Sequence, residues 1–324
     1  MKILLTGASS FTGYWFASTL AGAGHTIVAP LTRAADAYEG VRRERVIRLN
    51  ACAQIVENCP FGSETFTDLV RGGVDVLCHH GAQVAGYKSM DFDVGGALNN
   101  NTCNLQSILR IARLSGLKSV ILTGSVFEPD EGSGTEPRRA FSPYGLSKAL
   151  TAQVFRFWCE TLSIPLAKFI IPNPFGPWED ERFCAYLLRC WTQGNPATIN
   201  TPVYVRDNIH VSLLALAYRD LVSRTDNLPQ FSRHAPSGYI ESQASFAQRF
   251  SQEIGRRLDL AAELNLAQQA DFLEPPVRVN TDFLDTKRLG WDETNAWDEL
   301  AAYYRTKLRN AGQPCAHHLP TTRT

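Results

Sequence analysis

The first 170 residues alternate between short apolar runs and longer segments with helical spacing. The runs are apolar along most of their length, so each is predicted to be a strand that is buried on both faces of a sheet. Strands and helices in alternation predict an α/β fold with a parallel sheet. The predicted strands are KILLTG, HTIVAPL, RVIRLN, VDVLCHH, KSVILTGS and the run that begins PLAKFII. The predicted helices span residues 14–24, 65–73, 100–116 and 144–162.

The order of these elements favours a Rossmann-type, doubly wound sheet, which binds ligands at the carboxyl ends of its strands. After about residue 170 the alternation breaks up, as in PNPFGPWEDERF. Residues 1–170 are therefore predicted to form the nucleotide-binding domain. Residues 171–310 are predicted to form a smaller α/β region that mainly binds substrate, with some segments returning to the sheet. Residues 311–324 lack periodicity and are expected to be a flexible tail, in which His317 and His318 have no partners for a metal site.

The charge balance excludes several classes of binding protein. The chain has 32 basic and 32 acidic residues and therefore no formal net charge at pH 7. General binding to nucleic acids or membrane surfaces needs an excess of basic residues, so neither partner is expected. A run of 18 apolar residues does not occur in the sequence, which argues against a transmembrane helix.

The eight cysteines are spread over the chain without a C-x-x-C pair. Their spacing fits neither a disulfide framework nor a zinc site, so we expect reduced cysteines, no metal and a cytoplasmic location. The N-terminal run MKILLTGASS is soon interrupted by glycine and polar residues. It is therefore predicted to be the first strand and not a signal peptide.

The sequence TGASSFTG, residues 6–13, lies between the first predicted strand and the first predicted helix. A glycine-rich turn in this place lets backbone N–H groups and the helix N-terminus face a pyrophosphate. Gly7 allows the tight turn, Gly13 allows close packing of helix and strand, and Ser10 stands where the motif usually has its middle glycine. The residues expected to bind a dinucleotide are Gly7, Ser9, Ser10, Phe11, Thr12 and Gly13.

The end of the second predicted strand bears on which nicotinamide cofactor is bound. An acidic residue there would bond the ribose hydroxyls of NAD, but the strand continues into Leu31, Thr32 and Arg33. Arginine can hold a 2′-phosphate with two hydrogen bonds, so the sequence favours NADP(H) over NAD(H), with Thr32 and Arg33 in contact with it. The alternative is that Arg33 is a solvated loop residue and that Asp36 reaches the ribose.

The segment SPYGLSK, residues 142–148, predicts the start of a helix with a reactive pair on one face. Ser142 can cap the helix and Pro143 suits its first turn. Tyr144 and Lys148 then lie four residues apart on the same face. The lysine ammonium group and an oxidised nicotinamide would both favour the phenolate, so Tyr144 could give or take a proton near neutral pH. Lys148 could also hold the cofactor ribose.

In these motifs the chain resembles the extended short-chain dehydrogenase/reductase family, in the branch that acts on nucleotide sugars. The resemblance covers nearly the whole chain, through TGASSFTG, VDVLCHHGAQV, KSVILTGSVFE, SPYGLSK, PNPFGP, YVRDNIHV and LGW. It implies that Tyr144 and Lys148 are catalytic, together with a serine or threonine at the end of the fifth strand. Ser125 is favoured over Thr123 for that position, where its hydroxyl would bond the oxygen of the reacting carbon.

The resemblance also implies contacts beyond these motifs. The further cofactor contacts that it implies are Gly81, Ala82 and Pro172. The substrate contacts that it implies are Val84, Ser125, Asn173, Arg206 and Arg278. Asn173 and the two arginines would bind the diphosphate of a nucleotide sugar, and a salt bridge to Asp207 or another acid is the alternative for Arg206. His210 is expected to be structural, and Leu98 stands where the family has an asparagine, so it is assigned no catalytic role.

Two reactions of this family fit the sequence. Its sugar dehydratases have an Asp-Glu pair directly after the strand-five threonine, whereas this chain continues VFEP, which disfavours elimination of water. A dissociable NADPH suits net reduction, so we expect a 4-ketoreductase that acts on a dTDP-4-keto-6-deoxyhexose. An NAD-dependent C4-epimerase of nucleotide sugars is the alternative within the family. A non-catalytic NADP-binding sensor or scaffold is the alternative of another class, against which the set of Ser125, Tyr144 and Lys148 argues.

Two predicted helical segments, 101–114 and 144–162, have apolar faces that are broader than one side of a sheet needs. In the resembling family this pair of helices forms a four-helix interface between two subunits. The chain is therefore expected to be a homodimer.

Overall fold

The computed structural model describes residues 1–134 and 139–310. Its strands in chain order are β1 (Lys2–Thr6), β2 (Thr26–Pro30), β3 (Gln54–Val56), β4 (Val76–His79), β5 (Ser119–Ser125), β6 (Ser133–Gly134), β7 (Leu166–Ile171), β8 (Asn173–Phe175), β9 (Ala197–Ile199), β10 (Val205–His210), β11 (Phe231–His234), β12 (Pro236–Ser237), β13 (Tyr239–Ser242), β14 (Leu264–Leu266), β15 (Val277–Val279) and β16 (Asp282–Phe283). Its helices are α1 (Phe11–Gly22), α2 (Gly40–Leu49), α3 (Glu64–Arg71), α4 (Val94–Thr102), α5 (Leu105–Leu114), α6 (Pro143–Thr161), α7 (Phe183–Thr192), α8 (Val211–Ser223), α9 (Gln243–Leu258), α10 (Thr286–Leu289) and α11 (Glu293–Asn310).

Seven strands form the central sheet, in the spatial order β3-β2-β1-β4-β5-β7-β11. Every neighbouring pair in this sheet is parallel. The chain builds the sheet outward from β1 in one direction and then, from β4, in the other. This is the doubly wound Rossmann-type arrangement, so the predicted fold class is confirmed. Ligands bind such sheets where the strand order reverses, here between β1 and β4.

Helices cover both faces of the central sheet, which explains why its strands are apolar throughout. On one face α1 packs against α8, where the rings of Phe16 and Tyr218 are stacked with their centroids 4.0 Å apart. On the other face lie α3, α5 and α6, whose side chains Phe66, Ile108 and Phe155 are fully buried. The two cores hold the strand ends in fixed positions and leave their carboxyl edge open to ligands.

A second sheet lies beyond the carboxyl ends of the central strands. It has the order β13-β10-β15-β6, with β8 paired to β10. Helices α7, α9 and α11 bury a separate aromatic cluster beside it, which includes Phe175, Phe250 and Trp297. Between these elements the chain returns to the central sheet at β11.

The segment RVIRLN is not the third strand, so that prediction was wrong. It belongs to α2, in which Val46 and Leu49 are buried three residues apart while Ile47 is 61% exposed. That spacing is helical, because a strand would bury alternate residues. The third strand of the sheet is β3, whose pattern is short and only partly buried.

The predicted helix 100–116 is two helices, α4 and α5, with a break at Cys103 and Asn104. Asn104 adopts the left-handed conformation with φ of 54°, which asparagine tolerates better than most residues. Its side-chain amide donates a hydrogen bond of 2.8 Å to the carbonyl oxygen of Gly62, which holds the break in place.

Three further sequence expectations concern features away from the sheet. Within residues 1–134 and 139–310, every helix is too short or too polar to cross a membrane. The cysteines of these two segments are all unpaired, as predicted. The expected tail at 311–324, with its two histidines, lies outside the described residues.

Candidate active site

A cavity of about 1770 Å³ opens at the carboxyl ends of the central strands and reaches the second sheet. Ordinary ligand pockets have roughly 300–1000 Å³, so this one has room for a dinucleotide and a second ligand. The sequence-predicted residues that line it are Gly7, Ser9, Ser10, Phe11, Thr12, Thr32, Gly81, Ala82, Val84, Ser125, Tyr144, Lys148, Pro172, Asn173, Arg206 and Arg278. Gly13 and Arg33 do not line it.

The turn between β1 and α1 fits a dinucleotide pyrophosphate. Gly7 has φ of +71°, and a Cβ atom there would lie 2.7 Å from the backbone nitrogen of Gly81. The hydroxyl of Ser10 accepts a hydrogen bond of 3.1 Å from the N–H of Gly13 and so caps α1. Because α1 begins at Phe11 in the cavity wall, its positive N-terminus is placed where a phosphate would be stabilised.

His80 joins this turn to β5, a role that the sequence analysis missed. Its Nε2 lies 2.9 Å from the hydroxyl of Ser10 and 3.1 Å from that of Thr12. Its Nδ1 lies 3.0 Å from the hydroxyl of Thr123. Burial, assisted by the charge of Lys148, lowers the pKa of His80 to about 3, so one ring nitrogen donates and the other accepts. The available sequence signal was the doubled histidine in VLCHH.

Arginine side chains surround the end of β2. The guanidinium groups of Arg33 and Arg42 lie 4.5 Å and 5.1 Å from the ring centroid of Tyr38. Arg42 also donates to the hydroxyl of Ser9, at 2.9 Å from Nη2 and 3.2 Å from Nε, and lines the cavity. Arg45 is 1% exposed and donates to the carbonyl oxygen of Ser9, among other acceptors. The cavity wall thus contains Arg42 in the place for which the sequence analysis proposed Arg33.

Tyr144 lies in an aromatic pocket at the start of α6. Ser142 caps this helix by accepting a hydrogen bond of 3.1 Å from the N–H of Gly145, as predicted. The ring centroids of Tyr87, Phe92 and Phe127 lie 5.7, 5.9 and 5.9 Å from that of Tyr144. The phenol is therefore held in one orientation by ring packing from three sides.

Burial raises the pKa of Tyr144 to about 12, and the negative charge of Glu128 acts in the same direction. The positive charge of Arg182 and a side-chain hydrogen bond with Ser125 oppose this increase. The protein's own charges therefore do not produce the lowered pKa that was expected from Lys148. Without an added positive charge, Tyr144 stays protonated at neutral pH.

Lys148 lies one turn further along α6 and is buried. Its Nζ donates a hydrogen bond of 2.6 Å to the backbone carbonyl oxygen of Thr123. Burial lowers the pKa of Lys148 to about 8, with Glu128 opposing and Lys168 adding to this decrease. Lys148 thus keeps its positive charge at neutral pH beside the cavity.

The two candidate hydroxyls of β5 have different surroundings. Ser125 accepts a hydrogen bond of 3.2 Å from the N–H of Phe127, and its hydroxyl acts to lower the pKa of Tyr144. Thr123 is engaged by His80 instead. Ser125 is therefore the hydroxyl that influences Tyr144, whereas Thr123 contacts His80.

A buried ion cluster lies behind this site. Lys168 on β7 pairs with Glu128 at 2.5 Å and with Glu131 at 2.7 Å, and Arg233 pairs with Glu131 at 2.7 Å. Glu128 also accepts a hydrogen bond of 2.8 Å from the N–H of Ser125. It is 2% exposed and does not line the cavity. Glu128 is therefore placed to fix the end of β5 and not to act on a ligand.

Two arginines extend the site onto the second sheet. Arg206 of β10 and Arg278 of β15 are register partners on adjacent parallel strands. The guanidinium of Arg206 lies 4.2 Å from the ring centroid of Tyr204, and that of Arg278 lies 4.0 Å from that of Phe127. Both pair with Glu274, at 3.1 Å and 3.0 Å. The acidic partner that was left open for Arg206 is thus Glu274.

The remaining predicted residues occupy the wall and rim of the cavity or the protein interior. The amide of Asn173 donates a hydrogen bond of 3.1 Å to the carbonyl oxygen of Asp207, and Val84 is 51% exposed. The carboxylate of Asp207 accepts from the backbone N–H groups of Gly238 and Asn280, which leaves it unavailable to Arg206. His210 lies at the start of α8 and caps it, as expected of a structural residue. In the part of the chain that the structure describes, there is no group of three potential metal ligands.

Comparison with known proteins places this geometry in context. Residues 3–230 match the model of the NAD dependent epimerase/dehydratase family. No match is found among curated proteins.

Solved structures with the same fold cover nearly the whole chain. UDP-glucuronic acid 4-epimerase from Bacillus cereus, in complex with UDP-glucuronic acid and NAD, aligns with a TM-score of 0.71 and 17% identity over 95% of this chain and 100% of its own. UDP-glucose 4-epimerase from Thermotoga maritima, with UDP-glucose, aligns with a TM-score of 0.69 and 17% identity over 95% and 100%. The dTDP-glucose 4,6-dehydratase from Streptomyces venezuelae, with NAD bound, aligns with a TM-score of 0.71 and 16% identity over 95% and 98%. At these identities the likeness establishes the fold.

Proposed function

The chain belongs to the NAD dependent epimerase/dehydratase family, and on that basis we propose that it catalyses hydride transfer at C4 of a nucleotide sugar. The observation that carries the proposal is the shared cavity. One cavity is lined by Ser125, Tyr144 and Lys148, by the phosphate turn after β1, and by Arg206 and Arg278 of the second sheet.

The proposed roles follow from the contacts of each side chain. Bound NAD(P) would supply a hydride acceptor or donor. Tyr144 would take the proton from the C4 hydroxyl or return it to the C4 oxygen. Ser125, which lines the cavity with Tyr144 and acts to lower its pKa, would bond the same oxygen. Lys148 would supply positive charge next to Tyr144, because its pKa of about 8 keeps it protonated at neutral pH.

The diphosphate of the sugar nucleotide is assigned to the arginine side of the cavity. Arg206 and Arg278 are nearly fully buried but line the cavity, so their charges are fixed in position before a ligand arrives. Guanidinium groups bind phosphate oxygens with well-defined geometry. Asn173 lines the same cavity and would add an amide donor.

Epimerisation at C4 is the outcome that we put first. The family model and two of the compared structures carry the name epimerase, and NAD is bound in two of the three compared structures. Dehydration is disfavoured, because Val126 and Phe127 follow Ser125 directly and Glu128 is held by Lys168 behind the strand. Removal and return of a hydride at one carbon needs only the single acid–base group that Tyr144 would supply.

Reduction of a 4-keto sugar is the second candidate, and a specific observation favours it. Arg42 lines the cavity beside Ser9, next to Arg33 and Tyr38, at the end of β2, where the adenosine ribose lies in sheets of this type. A cluster of this charge suits the 2′-phosphate of NADP(H), and NADPH suits net reduction. A 4-ketoreductase acting on a dTDP-4-keto-6-deoxyhexose is therefore kept as the second proposal.

One experiment separates the two outcomes. The purified protein is incubated with UDP-glucose, UDP-glucuronic acid or dTDP-glucose without added reduced cofactor, and the C4 epimers are separated by chromatography. In parallel, the loss of NADPH or NADH absorbance is followed with dTDP-4-keto-6-deoxyglucose. Isomer exchange without cofactor consumption supports the epimerase, and consumption of NADPH supports the reductase. If the wild type carries out neither reaction with any of these substrates, hydride transfer at a nucleotide sugar is the wrong function.

Assembly and location are part of the same proposal. The helices α5 and α6 carry exposed apolar side chains, with Leu114 89% exposed and Phe157 60% exposed. Apolar surface of this kind on adjacent helices suits a subunit interface, so a homodimer is proposed, with light scattering as its test. A cytoplasmic protein with no nucleic-acid partner remains our expectation from its unpaired cysteines and zero net charge.

A further inference from the structure

The arginine pair of the second sheet is fixed in position by more contacts than an exposed ion pair has. Nη1 of Arg206 donates to the carbonyl oxygens of Val205, Pro275 and Pro276 at 3.0, 3.1 and 3.2 Å, respectively. The guanidinium of Arg278 is stacked over Phe127. Both arginine side chains are 5% exposed. Because both side chains are held in this way, a ligand that binds them must enter the cavity as far as their guanidinium groups.

One carboxylate oxygen lies between these two cations. Oε2 of Glu274 is 3.1 Å from Nη2 of Arg206 and 3.0 Å from Nη1 of Arg278. Unlike the arginines, the side chain of Glu274 is 39% exposed. One negative charge thus lies between two positive charges, and the carboxylate of Glu274 is the most solvent-exposed of the three groups.

The segment that carries Glu274 is a loop and not part of a sheet. It runs from 267 to 276, between β14 and β15. Its contacts near Glu274 include a hydrogen bond of 3.1 Å from the N–H of Glu274 to the hydroxyl of Tyr204 and the edge-to-face packing of Phe272 on the same ring. The carbonyl oxygens of Pro275 and Pro276 also accept hydrogen bonds from Arg206. Leu273 next to it is 92% exposed. The backbone beside Glu274 is therefore held by Arg206, and the carboxylate itself is the part of this contact that is open to solvent.

We propose that Glu274 is a specificity-determining residue that occupies the position of a ligand phosphate between Arg206 and Arg278. This inference rests on the proposed function, since it takes the diphosphate of a sugar nucleotide as the group that displaces it. A diphosphate brings two negative charges and several acceptor oxygens, and so satisfies both arginines better than one carboxylate oxygen does. The protein binds such a ligand only after Glu274 has left, which lowers its apparent affinity and selects against ligands that cannot replace both ion pairs.

The test measures binding and does not depend on turnover. Isothermal titration calorimetry is performed on the full chain with UDP, dTDP and inorganic pyrophosphate as probes. Glu274→Gln keeps the shape of the side chain and one acceptor oxygen but removes the charge. Asp271→Asn is the matched control, because Asp271 lies in the same loop and lines the same cavity but makes no salt bridge within the described residues. Thermal unfolding of both variants establishes that they are folded.

We expect Glu274→Gln to lower all three dissociation constants on the order of tenfold. This is the effect expected when a ligand no longer has to displace a competing ion pair of ordinary strength. Asp271→Asn should change them less than twofold. Unchanged or weaker binding of pyrophosphate by Glu274→Gln overturns the proposal, and so does equal tightening in both variants, which would indicate a general effect of charge. Tighter pyrophosphate binding without any binding of UDP or dTDP would support the role of Glu274 and reject the nucleotide-sugar function.

Discussion

The ammonium group of Lys148 donates a hydrogen bond of 2.6 Å to the backbone carbonyl oxygen of Thr123. This contact ties α6 to β5 two residues before Ser125, so the relative positions of the tyrosine helix and the serine strand are set by a buried charge. Burial of a charge without a carboxylate partner costs free energy, and here it lowers the pKa of Lys148 to about 8 from its ordinary value near 10.5.

The first prediction concerns stability. Because the unfolded state holds a proton on this lysine that the folded state releases between about pH 8 and 10.5, the wild type gains stability over that range. We expect the free energy of unfolding of Lys148→Met, relative to wild type, to fall by about 3 kcal/mol from pH 7.5 to pH 10.5. Urea denaturation at several pH values measures this difference. The exposed Lys287→Met should show a flat difference, and a flat difference for Lys148→Met would contradict the assignment.

The second prediction concerns proton transfer. Tyr144→Phe removes the hydroxyl but keeps the ring among Tyr87, Phe92 and Phe127, so the fold and ligand binding should persist. Loss of a general acid–base lowers kcat by about 100- to 10000-fold. Steady-state kinetics with the substrate found in the assay above, together with calorimetric binding of UDP, check both parts. A variant with wild-type kcat would remove Tyr144 from the mechanism.

The third prediction separates the two hydroxyls of β5. Ser125→Ala removes the hydroxyl that acts to lower the pKa of Tyr144 and should lower kcat on the order of 100-fold. Thr123→Val removes the partner of His80 and should instead lower the free energy of unfolding by about 1 kcal/mol, with kcat changed only a few-fold. Kinetics and urea denaturation of both variants are compared. The reverse pattern would assign catalysis to Thr123.

The pattern of apolar runs was sufficient for the fold but not for every element. Strands such as β1, β4 and β5 are buried on both faces, so their composition alone marks them. The run RVIRLN contains three aliphatic residues but belongs to a helix at the edge of the sheet, in which Arg45, Val46 and Leu49 are buried and Ile47 is exposed. At such an edge, spacing and not hydrophobicity decides the element, and six residues are too few to establish the spacing.

The candidate site was predictable where it depends on neighbours in sequence. Tyr144 and Lys148 share a helix face, and the phosphate turn is one continuous segment, so local spacing defines both. Arg42 and Glu274 could not be found in this way. Arg42 reaches Ser9 over 33 positions, and Glu274 reaches Arg206 over 68, contacts that only the assembled sheets create.

The fourth prediction concerns the cofactor. If Arg42 holds the 2′-phosphate of NADP(H), Arg42→Ala should weaken NADPH binding by about 10- to 100-fold, the value of a charge-assisted hydrogen bond, and leave NADH binding nearly unchanged. Arg33→Ala is the matched variant, because Arg33 packs on the same ring of Tyr38 but does not line the cavity. Fluorescence titration with both cofactors measures the effect. A larger loss for Arg33→Ala would restore the assignment made from the sequence.

The fifth prediction uses the ion cluster behind β5. Glu128 raises the pKa of Tyr144, after burial as the larger cause, and Arg182 opposes it. Glu128→Gln keeps an acceptor for the N–H of Ser125 but removes the charge, so the pKa of Tyr144 should fall.

The matched control for this substitution is Glu131→Gln. Glu131 contacts the same Lys168 but is not among the groups that shift the pKa of Tyr144. In profiles of kcat/KM against pH, the limb that belongs to Tyr144 should move to lower pH in Glu128→Gln and stay in place in Glu131→Gln. This prediction applies whether kcat/KM rises or falls with pH along that limb, because proton removal and proton donation both depend on the pKa of Tyr144. Equal shifts in the two variants would assign the effect to Lys168, because each substitution removes one carboxylate partner from it. A shift to higher pH in Glu128→Gln would show that Glu128 acts on Tyr144 mainly by fixing Ser125.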